Sequence, residues 1–126
     1  MGTRDLTGTR HVVLVCAGDS CHDRGADKVT RELRRAVREA ALDTAVHLVR
    51  TRCLGRCDEG CTVAVEPDQV WYREVTPKLA RRIVHEHLAA GAPIAARASY
   101  RAGPDGLEAQ PGTKRGKPRR LRADPD

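Results

Sequence analysis

His11-Val-Val-Leu-Val15 runs directly into Cys16, and a second run of the same kind, Ala45-Val-His-Leu-Val49, is followed closely by Cys53 and Cys57. Short apolar runs rich in β-branched residues predict strands buried on both faces, as in a parallel sheet. Between them, over about residues 24–41, Val29, Leu33, Ala36, Val37 and Ala40 recur at helical spacing, with Lys28, Arg31, Arg34, Arg35 and Arg38 elsewhere on the helix surface. That pattern predicts an amphipathic helix. A strand, a helix and a second strand form a right-handed crossover, which leaves the strands parallel with their carboxyl ends at one sheet edge. This is the edge where α/β proteins place ligands, so the loops carrying the cysteines should meet there.

Working outward, residues 62–66 and 69–73 flank Pro67-Asp68 and read as a β-hairpin. Thr76 offers an N-cap and Pro77 a first helical position for a helix that runs to about Ala90, buries Leu79, Ile83, Val84 and Leu88, and stops at Gly91. The expected fold class is α/β, a two-layer domain in the order βαβ-ββα over residues 11–96, after a flexible N-terminus at residues 1–10. Past Arg97 the chain turns to Gly, Pro, Arg, Lys and Asp without an apolar period, so residues 97–126 are expected to be a disordered basic tail.

Composition narrows the function. The 126 residues suit one domain. With no Phe and only Trp71, Tyr72 and Tyr100 as aromatics, the core must come from Val, Leu, Ala and Ile. The net charge of +6 is uneven: residues 97–126 hold 8 Lys/Arg against 4 Asp/Glu, which leaves 15 against 13 of the total 23 and 17 for residues 1–96. A short tail of mixed charge, with Tyr100 as its one aromatic residue, lacks the stacking groups of a single-strand binder, so no specific nucleic acid is expected. The N-terminus has no secretory signal and no stretch approaches a membrane span, which points to a cytoplasmic protein with no membrane partner. In that reducing setting the 5 cysteines argue for metal binding or redox chemistry rather than disulfides.

Cys16 and Cys21 are separated by four residues and Cys53 and Cys57 by three, so each loop can wrap one side of a small inorganic centre. A [2Fe-2S] cluster needs four thiolates, two on each iron. An all-cysteine zinc site uses similar pairs, and spacing alone does not separate the two. A thioredoxin-type dithiol would show Cys-x-x-Cys, which is absent, and Cys21-His22 follows the wrong spacing for covalent haem. His22 reads as a solvent-facing loop residue. His85 and His87 lie two apart on a helix, point to different sides and read as helix-surface or partly buried residues. Gly55 and Gly60 suit a loop that folds closely around a cluster. Cys21 lies just ahead of the first helix, whose dipole favours an anionic centre. Arg52 and Arg56 flank the second pair, and their charge near a cluster would raise its potential.

The stretch Cys53-Leu-Gly-Arg-Cys57-Asp-Glu-Gly60, with Thr62-Val-Ala-Val65, Val70-Trp-Tyr72, Val75-Thr-Pro77 and Glu86-His-Leu88 after it, resembles the C-terminal half of thioredoxin-like [2Fe-2S] ferredoxins. The resemblance implies a thioredoxin-like fold, one [2Fe-2S] cluster on Cys16, Cys21, Cys53 and Cys57, and an electron carrier rather than an enzyme. It implies redox proteins as partners, a reductase or a dehydrogenase- or hydrogenase-type enzyme, and leaves a homodimer open. The gap in the first pair is similar to that of the ferredoxin-like subunit of NADH dehydrogenases and soluble hydrogenases. A fixed relay subunit of an NADH-, formate- or hydrogen-oxidising complex is therefore one alternative, and a zinc-stapled binding module is the other. Cys61 departs from the family pattern, where Pro is common. It is an alternate ligand or, by the better expectation, a buried packing residue.

Overall fold

The computed structural model describes residues 2–118. Strand β1 (His11–Cys16) pairs in parallel with β2 (Val46–Thr51), in a register that sets His11 opposite Val46 and Cys16 opposite Thr51. The carboxyl ends of the two strands are thus level, as the crossover pattern predicts. The connection is not one helix but two. A single helical turn α1 (Asp19–Asp23) contains Cys21, and α2 (Ala26–Glu39) starts only after Gly25. Gly25 adopts φ 92°, a left-handed conformation that breaks the helical run and that glycine enters without a Cβ clash. Helix α2 buries Val29, Leu33, Ala36 and Val37 of the stripe that the sequence spacing marks, with Ala26 besides, while Ala40 of that stripe is its partly buried C-cap.

Strands β3 (Val63–Glu66) and β4 (Val70–Tyr72) form the expected hairpin, and β3 runs antiparallel to β1 on the side away from β2. Residues directly opposite one another share a sheet face. Val13 faces Val65, Val15 faces Val63, and these in turn face Val70 and Tyr72. All six side chains are buried and form one wall of the core. Helix α3 (Pro77–Arg82) begins at Thr76, whose hydroxyl accepts the Leu79 N–H at 3.1 Å. It continues over Ile83–Ala89 as wider π-helical turns and ends at Gly91, where φ is 77°. Helices α2 and α3 pack against each other, with Leu33, Leu79, Ile83 and Val84 almost wholly shielded from water.

The reading of His87 as a helix-surface or partly buried residue is corrected. His87 is fully buried, while His85 is exposed. Its Nδ1 lies 2.8 Å from Tyr72 Oη, which also accepts the Ile94 N–H at 3.0 Å, and its Nε2 lies 2.7 Å from Asp68 Oδ2. The side chain thereby ties the end of α3 to the β3–β4 turn, and its two polar atoms are both satisfied.

The expected disordered tail is also corrected for the described residues. The sheet continues through β5 (Ala98–Gly103) and β6 (Gly106–Ala109), both antiparallel, giving the order β2-β1-β3-β4-β5-β6. Pro104-Asp105 forms the two-residue turn between them, and Gly106 sits at φ 121°. The hydrophobic pattern hides this hairpin because few of its side chains are large and apolar. Main-chain pairing to β4 holds it, with Ala98 and Ser99 as its buried residues and Ser99 Oγ donating to the Trp71 carbonyl at 3.1 Å. The part of the tail at residues 119–126 lies outside the described residues. Among the described residues no helix is long and apolar enough to cross a membrane.

Replacing Thr76 by Ala removes the cap of α3 and should cost about 1 kcal/mol of unfolding free energy, read from chemical denaturation of the two proteins side by side.

Candidate metal centre

The level ends of β1 and β2 bring two loops together. Cys16 closes β1, with its N–H donating to the Thr62 carbonyl at 3.0 Å, and Ala17 N–H donates to Thr51 at 2.9 Å, so the first loop leaves the sheet on fixed hydrogen bonds. Turn α1 then carries Cys21 back into the core near Cys16. Both are buried, at 2% and 1% exposure. In the second loop Gly55, at φ 83°, turns the chain so that Cys53 Sγ and Cys57 Sγ stand 3.5 Å apart. The Gly55 N–H donates to Cys53 Sγ at 3.2 Å, and both cysteines of this pair are exposed.

The loops touch through glycine. A Cβ on Gly18 would stand 3.2 Å from Cys53 Cα, and one on Gly60 would stand 2.6 Å from Cys21 Sγ. The first contact seats one loop on the other, and the second leaves no room for any side chain beside the Cys21 sulfur. The Thr62 hydroxyl is buried with no hydrogen-bond partner among the described residues. Such a hydroxyl is costly unless something nearby accepts it.

The sulfurs fall into two pairs rather than one knot. A single zinc held by four thiolates at about 2.3 Å would bring all four sulfurs within roughly 3.8 Å of one another. Among the described residues no three cysteine sulfurs lie mutually within 4.8 Å. Two pairs at two ends suit a two-iron centre, in which each iron takes one pair. The protonation behaviour agrees. Burial, then the neighbouring Cys16 thiol, pushes Cys21 up to about 11, and the adjacent Cys53 pushes Cys57 up. Thiols crowded in this way resist becoming anions together unless a positive centre lies between them, which iron supplies.

Cys61 lies behind the first pair, 1% exposed, with its thiol against that of Cys21. Burial, reinforced by Cys21 and Cys16, pushes it up to about 12. His22 is exposed on α1, as expected. The dipole argument is altered, since Cys21 sits inside the short α1 and not at the head of α2.

Arg56 does not present a free charge to the sulfurs. Its guanidinium pairs with Glu59 at 2.6 Å, stacks 4.9 Å over the Tyr100 ring, and donates to the carbonyls of Lys114 and Arg115. Glu59 is only 2% exposed and also accepts from Thr113 Oγ1 at 2.6 Å and Lys114 N–H at 2.8 Å. Burial alone would raise the Glu59 carboxyl, but these donors hold it below its ordinary value. Arg24 supplies another tie, donating to the Cys57 carbonyl at 3.0 Å. The sequence reading missed Arg24, Glu59 and Thr113. Arg24 and Thr113 find partners 33 and 54 positions away, and Glu59 adds the distant Thr113 and Lys114 to the nearby Arg56, so no local pattern announces the set. Beside this loop, on the sheet face turned away from the helices, Leu54, Arg56, Trp71, Tyr100, Leu107 and Pro118 line an open groove of about 470 Å³.

The sequence of residues 4–88 matches the family model of the thioredoxin-like [2Fe-2S] ferredoxins. A protein of Priestia megaterium designated a 2Fe-2S ferredoxin is 48% identical over 89 residues, which cover 71% of this chain and 69% of that one. A 2Fe-2S ferredoxin of Aquifex aeolicus is 32% identical over 91 residues, or 65% of this chain and 82% of that one. The solved structure of a thioredoxin-like [2Fe-2S] ferredoxin from Aquifex aeolicus superposes with a TM-score of 0.71 at 28% identity, over 76% of this chain and 96% of that one. Strands β5 and β6 and the segment after them lie beyond the matched family region. By its paired-cysteine loops, its sheet and these matches, the chain belongs to the thioredoxin-like [2Fe-2S] ferredoxins, electron-transfer proteins that bind a [2Fe-2S] cluster.

Proposed function

We propose that Cys16 and Cys21 hold one iron and Cys53 and Cys57 the other, in a carrier that moves single electrons between redox proteins. The observation that carries the assignment is the division of the sulfurs into a buried pair and an exposed pair on abutting loops. When bound, the cluster takes up and gives back one electron. The chain's own groups position it and control access. Gly18 and Gly60 let the loops close, Gly55 N–H donates to the Cys53 sulfur, and Thr62 Oγ1 is a further donor at hand. Because Cys53 and Cys57 face solvent while Cys16 and Cys21 do not, electrons enter and leave by the second loop.

A free carrier is the reading favoured over a fixed relay subunit, because the likeness spans 96% of an Aquifex aeolicus chain that is itself a ferredoxin. Basic groups surround the exposed pair. Arg24, Arg52 and Lys114 to Lys117 outnumber Asp58 there, and Glu59 is already neutralised by Arg56. The partner surface is therefore acidic. The segment 110–118 belongs to the site as a strap, anchored on Glu59.

Replacing any of Cys16, Cys21, Cys53 or Cys57 by Ser should reduce cluster content sharply, measured as iron and sulfide per chain and as the EPR signal after dithionite. Cys61→Ser should leave both near the level of the unaltered protein. Loss of the cluster in Cys61→Ser but not in Cys57→Ser would overturn the assignment. In stopped flow, reduced protein should pass its electron to anionic ferricyanide several-fold more slowly as salt rises from low to physiological strength, with the opposite trend for a cationic cobalt hexaammine oxidant. Glu59→Ala should cost about 2 kcal/mol and expose Lys114 and Arg115 to trypsin under conditions where the unaltered chain resists cleavage.

A further inference from the structure

At the other end of β1, roughly 16 Å from Cys16 by strand length, three side chains from separate elements converge. His11 opens β1, Asp68 sits in the β3–β4 turn, and His87 comes from the end of the α3 helix. The topology explains the meeting. β3 runs antiparallel to β1 with Glu66 opposite Val12, so the turn after β3 lies beside His11. Their donor atoms lie mutually within 4.8 Å. Asp68 Oδ2 is 2.7 Å from His87 Nε2 and 3.1 Å from His11 Nε2, and the two imidazole centroids are 5.8 Å apart.

From this juxtaposition we propose that His11, Asp68 and His87 form a second metal site, separate from the cysteine centre, for a divalent transition-metal ion of the zinc class. Two imidazoles and one carboxylate are a donor set such ions accept. Ligands about 2.1 Å from one ion stand roughly 3.0 to 3.4 Å from each other in octahedral or tetrahedral geometry. The two nitrogen-to-oxygen separations already lie close to that spacing. One cation would take the place of the protons that the two rings now share with the carboxylate.

The site is also supported from behind and open in front. A metal-bound imidazole needs a partner on its other nitrogen. His87 has one in Tyr72 Oη, which can both accept and donate and is itself fixed by the Ile94 N–H. His87 is fully buried and so held in one orientation, while Asp68 is 36% exposed and gives the ion and its remaining water ligands a way in. None of the cysteines takes part, so this site stands or falls independently of the cluster assignment.

The test is equilibrium dialysis of the cluster-loaded protein against zinc, with zinc and iron counted per chain by elemental analysis. One zinc should be retained per chain with iron unchanged, and the thermal midpoint should rise with zinc. His11→Ala, at the partly buried start of β1, and Asp68→Asn, in the exposed β3–β4 turn, should each weaken zinc retention at least tenfold while keeping the iron. Three results would overturn the site: no stoichiometric zinc in the unaltered protein, retention in both variants equal to that of the unaltered protein, or zinc uptake only in step with iron loss.

Discussion

The register between β1 and β2 is the constraint on which the site depends. Because Cys16 stands opposite Thr51, both strands end at the same height, and the two cysteine loops have no choice but to leave the sheet side by side. A slip of one residue would turn the inward side chains of β2 to the other face. Leu48, which shares the core face with Val13, would then leave it, and Cys53 would be displaced from its contact with Gly18. The hydrophobic core and the metal centre are therefore fixed by the same backbone hydrogen bonds.

Glycine and buried polar groups complete what the register begins. Gly60 permits an approach to the Cys21 sulfur that a methyl group would forbid, and Gly18 one to Cys53 that a methyl group would crowd. Glu59 and His87 do the opposite work of holding distant segments together. Each is a polar side chain at 2% exposure or less, and each is acceptable there because donors and acceptors from other elements satisfy it. Glu59 anchors the strap against the cysteine loop, and His87 locks the far end of the sheet. The exposed pair of cysteines sits on the loop that Glu59 anchors, at the end of the sheet opposite His87, which combines access for a partner with a rigid setting.

Much of the fold could be read from the sequence because the deciding signals are local. The apolar runs at His11 and Ala45, the stripe Val29, Leu33, Ala36, Val37, and the Thr76-Pro77 start followed by Gly91 each declare an element without reference to anything far away. The cysteine pairs could likewise be picked out by spacing, and the motif Cys53-Leu-Gly-Arg-Cys57 carries the family resemblance. The misreadings share a cause. Strands β5 and β6 have small or polar side chains and are stabilised by pairing with β4, so they leave no hydrophobic period to detect. Arg56 looked like a free charge because its counter-ion depends on which way the loop turns, and His87 looked like a surface residue because its partners are Tyr72 and Asp68.

The sequence by itself determined the element types, the parallel crossover, the two cysteine pairs and the kinship they imply. These follow from short-range periodicity, capping and spacing, which act between residues a few positions apart. Only the tertiary structure decided which cysteines are buried and which face solvent, that Arg56 is neutralised, that the strap rests on Glu59, and that His11, Asp68 and His87 meet. Each of these depends on contacts between segments distant in the chain, and burial and charge compensation have no meaning until those segments are packed together.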